Sequence, residues 1–281
     1  EKCGDIIITV TREEANISPF IVKYYGIDLT GKEMAEYRRL TYAIGKMYRN
    51  EEPDIKEVNE NSLIFARRGI VYTAKNRIER ALLIIAREFV EGKKILIITR
   101  RKEQADELSK RIHLFADNVV YHSDSGNKKE RKKQLDRYRN GEVRILVSVG
   151  MVKEGFDDVD TNCGIVVASP LTESFHIQTM GRIIRYKKDK IATIHILLAN
   201  DTTDMKILNH IDNYDFEFDN IRLPKIVEHK KEYYEGKKYS FCEKRLWVTG
   251  TVPRVSYEYH PILEELRKHK RSGGSFVVAE D

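Results

Sequence analysis

The 281-residue sequence predicts an α/β fold: a parallel sheet with helices on both faces, followed by a small C-terminal appendage. Two observations carry this expectation. Between residues 94 and 199, short apolar runs alternate with helical segments, the pattern of strands buried on both faces and joined by helical crossovers. After about Asn213 the alternation stops, and a stretch rich in basic and aromatic residues replaces it.

The elements follow in order. Residues 5–10 and 20–29 read as strands or extended linkers. Thr30 is placed to cap a helix running from about Lys32 to Tyr48, with Glu33 at the three-residue spacing of a capping box. Glu51-Glu52-Pro53-Asp54 breaks that helix. Ile78, Leu82, Ile85 and Phe89 give helical periodicity over 75–89, stopped by Gly92. Strands are expected at 94–99, 118–121, 143–149, 164–169 and 191–199. Helices are expected near 103–113 and 128–139, and 174–180 leads into an arginine motif. A weak final helix is expected near 261–270.

Composition narrows the class. No apolar run is long enough to span a bilayer, and the first residues lack a signal-like core, so a protein of the cell interior with no membrane partner is expected. Cys3, Cys163 and Cys242 are widely spaced, and the histidines show no ligand spacing, so neither a disulfide framework nor a metal site is expected. A net charge of +6 favours a polyanionic partner. Abundant Lys, Glu and Ile suit a thermophile, and AT-rich codon usage gives a similar profile.

Two stretches carry chemistry. Gln178-Thr179-Met180-Gly181-Arg182-Ile183-Ile184-Arg185 has the form Q-x-x-G-R-x-x-R. Arginines three apart share a helix face, and their fixed forks of donors suit phosphate oxygens. Such a pair can neutralise charge on a transferring phosphoryl group, although two surface arginines after a glycine are also ordinary. The second stretch is Ser148 to Asp157, a polar loop after a strand. There the Ser148 hydroxyl can meet a phosphate, Gly155 permits close backbone approach, and Asp157 can accept from a ribose. Helix 128–139 holds Lys128, Lys129, Arg131, Lys132, Lys133, Arg137 and Arg139, which fits a solvated face as well as a nucleic-acid surface. The tail around Tyr233, Tyr234 and Trp247 fits base stacking or a small packed subdomain.

Taken together, Tyr121-His122-Ser123, Tyr138-Arg139-Asn140-Gly141, Ile145-Leu146-Val147-Ser148, Glu154-Gly155-Phe156-Asp157 and Q-x-x-G-R-x-x-R resemble motifs IV to VI of superfamily 2 helicases. These motifs belong to the second RecA-like motor domain. Within the superfamily the chain is most similar to the XPB-type repair and UvsW-type phage helicases, through Ile98-Thr99-Arg100 and Lys153-Glu154-Gly155-Phe156-Asp157. Thr179, and Asp158-Val159 after motif V, depart from the XPB pattern.

The resemblance implies a division into residues 1–55 (a linker from a first motor domain, with a lead-in helix), 56–212 (the RecA-like domain) and 213–281 (a basic, aromatic extension). It implies an ATP-dependent DNA helicase or translocase, with an RNA helicase, a restriction-type motor or a non-catalytic binding module as alternatives. Arg185 and Arg182 would serve catalysis, and Gln178, Gly155 and Asp157 would contact the nucleotide. Thr99, Arg100, Ser148 and Arg131 would contact DNA, single-stranded or forked. No G-x-x-x-x-G-K-S/T sequence occurs, Gly31-Lys32-Glu33 not being one, and no Asp-Glu-x-His box occurs. ATP and Mg2+ are therefore expected to be held mainly by a first RecA-like domain as partner, with a nuclease as a further partner.

Overall fold

The computed structural model describes residues 17–48, 58–150, 158–168, 170, 173–210 and 216–222. Gly155, Asp157, the stretch at 5–10, the aromatic tail with Trp247 and the helix expected near 261–270 lie outside the described residues.

Seven strands form one sheet: β1 (Phe20–Ile27), β2 (Ile95–Thr99), β3 (Val119–Tyr121), β4 (Ile145–Val149), β5 (Cys163–Val166), β6 (Ala192–Ala199) and β7 (Phe216–Asp219). Their order is β3-β4-β2-β5-β6-β1-β7, and every pairing is parallel. The helices are α1 (Gly31–Tyr48), α2 (Val58–Tyr72), α3 (Lys75–Val90), α4 (Lys102–Ile112), α5 (Lys128–Arg139) and α6 (Glu173–Ile183), with a 3-10 segment at Thr203–His210.

The central strands β2, β4, β5 and β6 bury both faces. Ile95, Ile97, Ile145, Val147 and Ile165 meet Leu82 and Ile85 of α3 and Leu108 and Ile112 of α4 on one side. Leu96, Ile98, Leu146, Val166 and Ile194 meet Leu135 and Tyr138 of α5 and Ile183 of α6 on the other. Each large aliphatic side chain so buried contributes about 1.5–3 kcal/mol. Gly164 on β5 permits the α6 contact, because a Cβ there would stand 2.1 Å from Ile183 Cδ1.

The structure differs from the sequence reading in three places. The sheet reaches past both ends of 56–212, since β1 comes from the segment read as linker and β7 from the segment read as extension. The register explains this: β1 pairs with β6 along all eight residues and with β7 on its other side. Helix α2 has no counterpart in that reading. It packs with α1 as a hairpin, through Val71, Ala74, Tyr37 and Leu29. Finally, α6 ends at Ile183, so Arg185 does not share a helix face with Arg182. The capping box holds as expected: the Thr30 amide donates to Glu33 Oε2 at 2.8 Å, and the Glu33 amide donates to Thr30 Oγ1 at 3.3 Å. No helix of the described residues is long and apolar enough to cross a membrane.

Two buried ionic groups join helices to the sheet. Arg77 of α3, 1% exposed, donates to the carbonyls of Val71 at 2.7 Å, Val167 at 2.6 Å and Leu197 at 2.7 Å, and pairs with Asp204. Glu88, near the other end of α3, is 3% exposed and lies 3.1 Å from Lys93 Nζ, 3.0 Å from Arg87 Nη2 and 3.3 Å from His195 Nε2. Tyr25 bridges Arg87 to His195 Nδ1, at 3.1 Å on each side. Burial opposes ionisation of Glu88, but the surrounding donors outweigh it and hold the carboxyl well below the usual range. Burial pushes His195 down, keeping it neutral at pH 7.

Arg77→Met should cost about 3–5 kcal/mol in chemical unfolding, because it strands Asp204 and three carbonyls in the interior; a loss under 1 kcal/mol would contradict this bonding. For Glu88, the depressed folded pKa means that the unfolded chain takes up protons first on acidification. Its stabilisation is therefore present above the ordinary glutamate range and lost as pH falls below it. The stability difference between wild type and Glu88→Gln should shrink from pH 6 toward pH 3, and a constant difference would count against the assigned ionisation.

Candidate functional site

The sequence-predicted residues fall at two opposite edges of the sheet. At the carboxyl edge, Thr99 ends β2 and Ser148 lies one residue before the end of β4. Both are buried, at 0% and 1% exposure. Thr99 Oγ1 lies 3.1 Å from the Ser148 carbonyl oxygen and 3.3 Å from that of Arg101. Ser148 Oγ lies 3.2 Å from the Ile97 carbonyl and 3.1 Å from that of Gly150. Both hydroxyls thus donate within the sheet. In this arrangement both hydroxyls are engaged by main-chain carbonyls of the sheet edge and of the turns that follow it. What they fix is the turn that follows, where Gly150 adopts φ +66° and its amide donates to the Thr99 carbonyl at 2.8 Å.

Arg100, immediately after Thr99, is exposed. Next to it, Lys102 pairs with Asp124 at 2.7 Å across the turn after β3. That turn is held from beneath by His122, whose Nε2 lies 3.0 Å from Asp106 Oδ1. Arg131 donates through Nη1 to the carbonyls of Ser123 at 2.8 Å and Gly126 at 2.6 Å. Its nearest role is therefore to brace the turn that leads into α5. Asn127 and Glu130 form a capping box at the start of α5, which presents Lys128, Lys129, Lys132 and Lys133 to solvent.

The arginine motif lies at the other edge. Helix α6 carries the chain from the carboxyl side back toward the amino ends of the strands. Ile183 near its end meets Gly164, the second residue of β5. Gln178 is exposed on α6, and Arg182 occupies its last turn, partly exposed. Arg185, also partly exposed, forms an antiparallel bridge with Ile17, three residues before β1. The structure therefore brings Arg182 and Arg185 together at the amino edge, away from Thr99, Arg100, Ser148 and Arg131.

Residues that the sequence reading passed over complete the amino edge. Asp158 pairs with Lys94 at 2.8 Å, Thr161 Oγ1 donates to Asp158 at 2.9 Å, and the Lys94 ammonium stands 4.8 Å from the Tyr138 ring centre. Lys187 pairs with Asp160. Burial lowers Lys190 to about 8, against the opposing pull of Asp158 and Asp160. The only sequence signal for these contacts was a cluster of opposite charges flanking the two motifs.

One group of potential metal ligands occurs among the described residues: Glu88, Cys163 and His195, all buried, with ligand atoms within 4.8 Å of one another. The donor set does not favour a cation. The Lys93 ammonium and the Arg87 guanidinium already sit on the Glu88 carboxylate, and burial pushes the Cys163 thiol well up, away from the thiolate a metal requires.

Residues 75–187 match the helicase conserved C-terminal domain. Over 139 residues the chain is 32% identical to the DNA 3'-5' translocase XPB2 of Sulfurisphaera tokodaii, covering 50% of this chain and 30% of that protein. It is 26% identical over 119 residues to the UvrABC system protein B of Natronomonas pharaonis, covering 41% and 17%. The matches thus span less than a third of either relative. Among solved structures, the C-terminal part of the Fun30 ATPase domain aligns with a TM-score of 0.56 at 12% identity, covering 77% of this chain and 97% of that one. The Sulfolobus solfataricus SWI2/SNF2 ATPase core in complex with dsDNA aligns at 0.53 and 18% identity, covering 68% and 43%. These two likenesses concern the fold. With a seven-stranded parallel sheet and the helicase match across both motifs, the chain carries the C-terminal RecA-like domain of a superfamily 2 helicase.

Proposed function

We propose that this chain is the second motor domain of an ATP-dependent DNA helicase or translocase of the repair or recombination type. The main support is the helicase C-terminal match over 75–187, which ends just beyond the arginine motif, joined to the relative whose name is a DNA 3'-5' translocase. In this reading ATP and Mg2+ sit between a first RecA-like domain and this one. Arg185 and Arg182 reach the γ-phosphate, where a planar guanidinium offsets charge that builds up in the transition state. Gln178, with Gly155 and Asp157 from the second motif, contacts the nucleotide and relays its state to the nucleic acid.

Nucleic acid lies along the carboxyl edge. Arg100 supplies the exposed charge there, and the solvent-facing lysines of α5 extend it. Thr99, Ser148 and Arg131 act by shaping the turns that present Arg100 and the loop amides. These contacts address the backbone, so they are independent of sequence and sensitive to salt. The two edges give the division of labour a motor needs: one end senses the nucleotide and the other grips the track. Comparing ATPase stimulation by DNA and by RNA in the full-length protein tests the polymer; stronger stimulation by RNA would reassign the substrate.

In the protein that includes the first motor domain, Arg185→Ala should lower turnover by ~10³-fold or more and leave ATP binding largely intact. Arg182→Ala should act in the same direction. Steady-state ATPase assays with nucleotide-binding controls decide this, and near-normal turnover in Arg185→Ala removes the motif from its assigned role.

DNA of unrelated sequences should bind with similar affinity. Arg100→Ala should weaken all of them alike and make the slope of log affinity against log salt shallower by roughly 0.9 on duplex. An unchanged slope would take Arg100 off the track.

A further inference from the structure

The backbone of Arg185 is held by two residues that neither motif contains. Ser18 reaches it from the segment leading into β1, and Lys190 from the turn leading into β6. The Ser18 amide donates to the Ile184 carbonyl at 2.8 Å, and Ser18 Oγ donates to the Arg185 carbonyl at 3.0 Å. The same Ser18 oxygen accepts the Lys187 amide at 3.1 Å. Lys190 Nζ donates to that Arg185 carbonyl at 3.0 Å and to the Val159 carbonyl at 2.9 Å. Ser18 is fully buried and Lys190 is 8% exposed. We infer that Ser18 and Lys190 are positioning residues that set where the Arg185 guanidinium points. They also tie its backbone to the segment following the glycine loop and to the chain entering the sheet. The inference rests on the catalytic reading of Arg185 given above.

The physical case has three parts. Arg185 follows the end of α6, so no helical turn beyond it fixes its backbone. One carbonyl taken by two buried donors, beside an antiparallel bridge to Ile17, replaces that missing turn. A long side chain aimed at a phosphate amplifies any rotation of its own peptide unit, and displacement of about 1 Å at a catalytic group costs roughly 10²-fold in rate. The charged neighbours facing Lys190 are Asp158, Asp160, Lys187 and Arg185. When Lys190 loses its proton, the amine still carries two N–H groups for its two carbonyls, so the clamp survives that titration.

The test uses the full-length protein containing both motor domains, assayed well below its melting temperature. Lys190→Met and Ser18→Ala should each lower kcat by roughly tenfold to a hundredfold while KM for ATP changes less than twofold. Lys190→Arg and Ser18→Thr, which keep the donors, should recover most of the rate. Arg185→Ala is measured alongside. If Arg185→Ala is inactive but Lys190→Met and Ser18→Ala keep kcat within twofold of wild type, the positioning role is wrong and the catalytic reading stands. A fall in kcat matched by a rise in KM and not rescued by the conservative variants also overturns it, as a general loss of fold would. If Arg185→Ala itself turns over normally, the underlying catalytic reading fails first.

Discussion

The buried guanidinium of Arg77 is the interaction on which the carboxyl half of the sheet depends. Parallel strands that end under a helical cap leave carbonyls facing inward, as do those of Val167, just past β5, and Leu197, near the end of β6. One planar fork of donors satisfies both, takes the Val71 carbonyl at the end of α2, and meets Asp204 in the 3-10 segment. A cation this deep is tolerated because every direction it faces holds an acceptor and one of them is charged. The consequence reaches well beyond one residue. The α1–α2 hairpin, the start of α3 and the turn after β6 all converge on it, so the hairpin belongs to the same body as the sheet.

The amino half depends on a different kind of joint. There Glu88, Lys93, Arg87, Tyr25 and His195 connect α3 to β1 and β6, while Lys94, Asp158, Thr161 and Tyr138 connect α5 to the start of β5 on the opposite face. The second of these networks adjoins Lys190, which holds the carbonyls of Val159 and Arg185.

Helix α6 sets the functional layout. It takes the chain from the carboxyl edge to the amino edge, and Gly164 lets its last turn lie directly on β5. The motif residues near its end are thereby separated from Arg100 and the turn at Gly150. A rigid sheet lies between the two groups, with its core buried on both faces, and such a body moves as a unit.

Much of this was legible in the residues. The alternation of apolar runs and helical segments identified β2 to β6 and α3 to α5, because burial on both faces leaves little freedom in which residues a central strand uses. The spacing of Thr30 and Glu33 identified the start of α1, since the capping box is a local hydrogen-bond pattern. The set of motifs from Tyr121 to Arg185 pointed to the helicase superfamily. Three-dimensional contacts decided the rest. Phe216–Asp219 is too short to announce itself as a strand, and it becomes one only because β1 offers an open edge. Thr99 and Ser148 carry the hydroxyls that a phosphate site would use, but whether such a group turns outward or donates to a neighbouring strand depends on atoms about fifty residues away. The placement of Arg185 was likewise beyond sequence spacing, because helical periodicity assumes the helix continues and Ile17 and Ser18 take over its backbone instead. The sequence by itself determined the central strands β2 to β6, the helices α1 and α3 to α5, and the superfamily they point to, since local periodicity and motif chemistry are written in neighbouring residues. The tertiary structure alone decided which polar groups face outward and which edge each arginine occupies, since those outcomes are set by donors and acceptors that the fold brings together from distant parts of the chain.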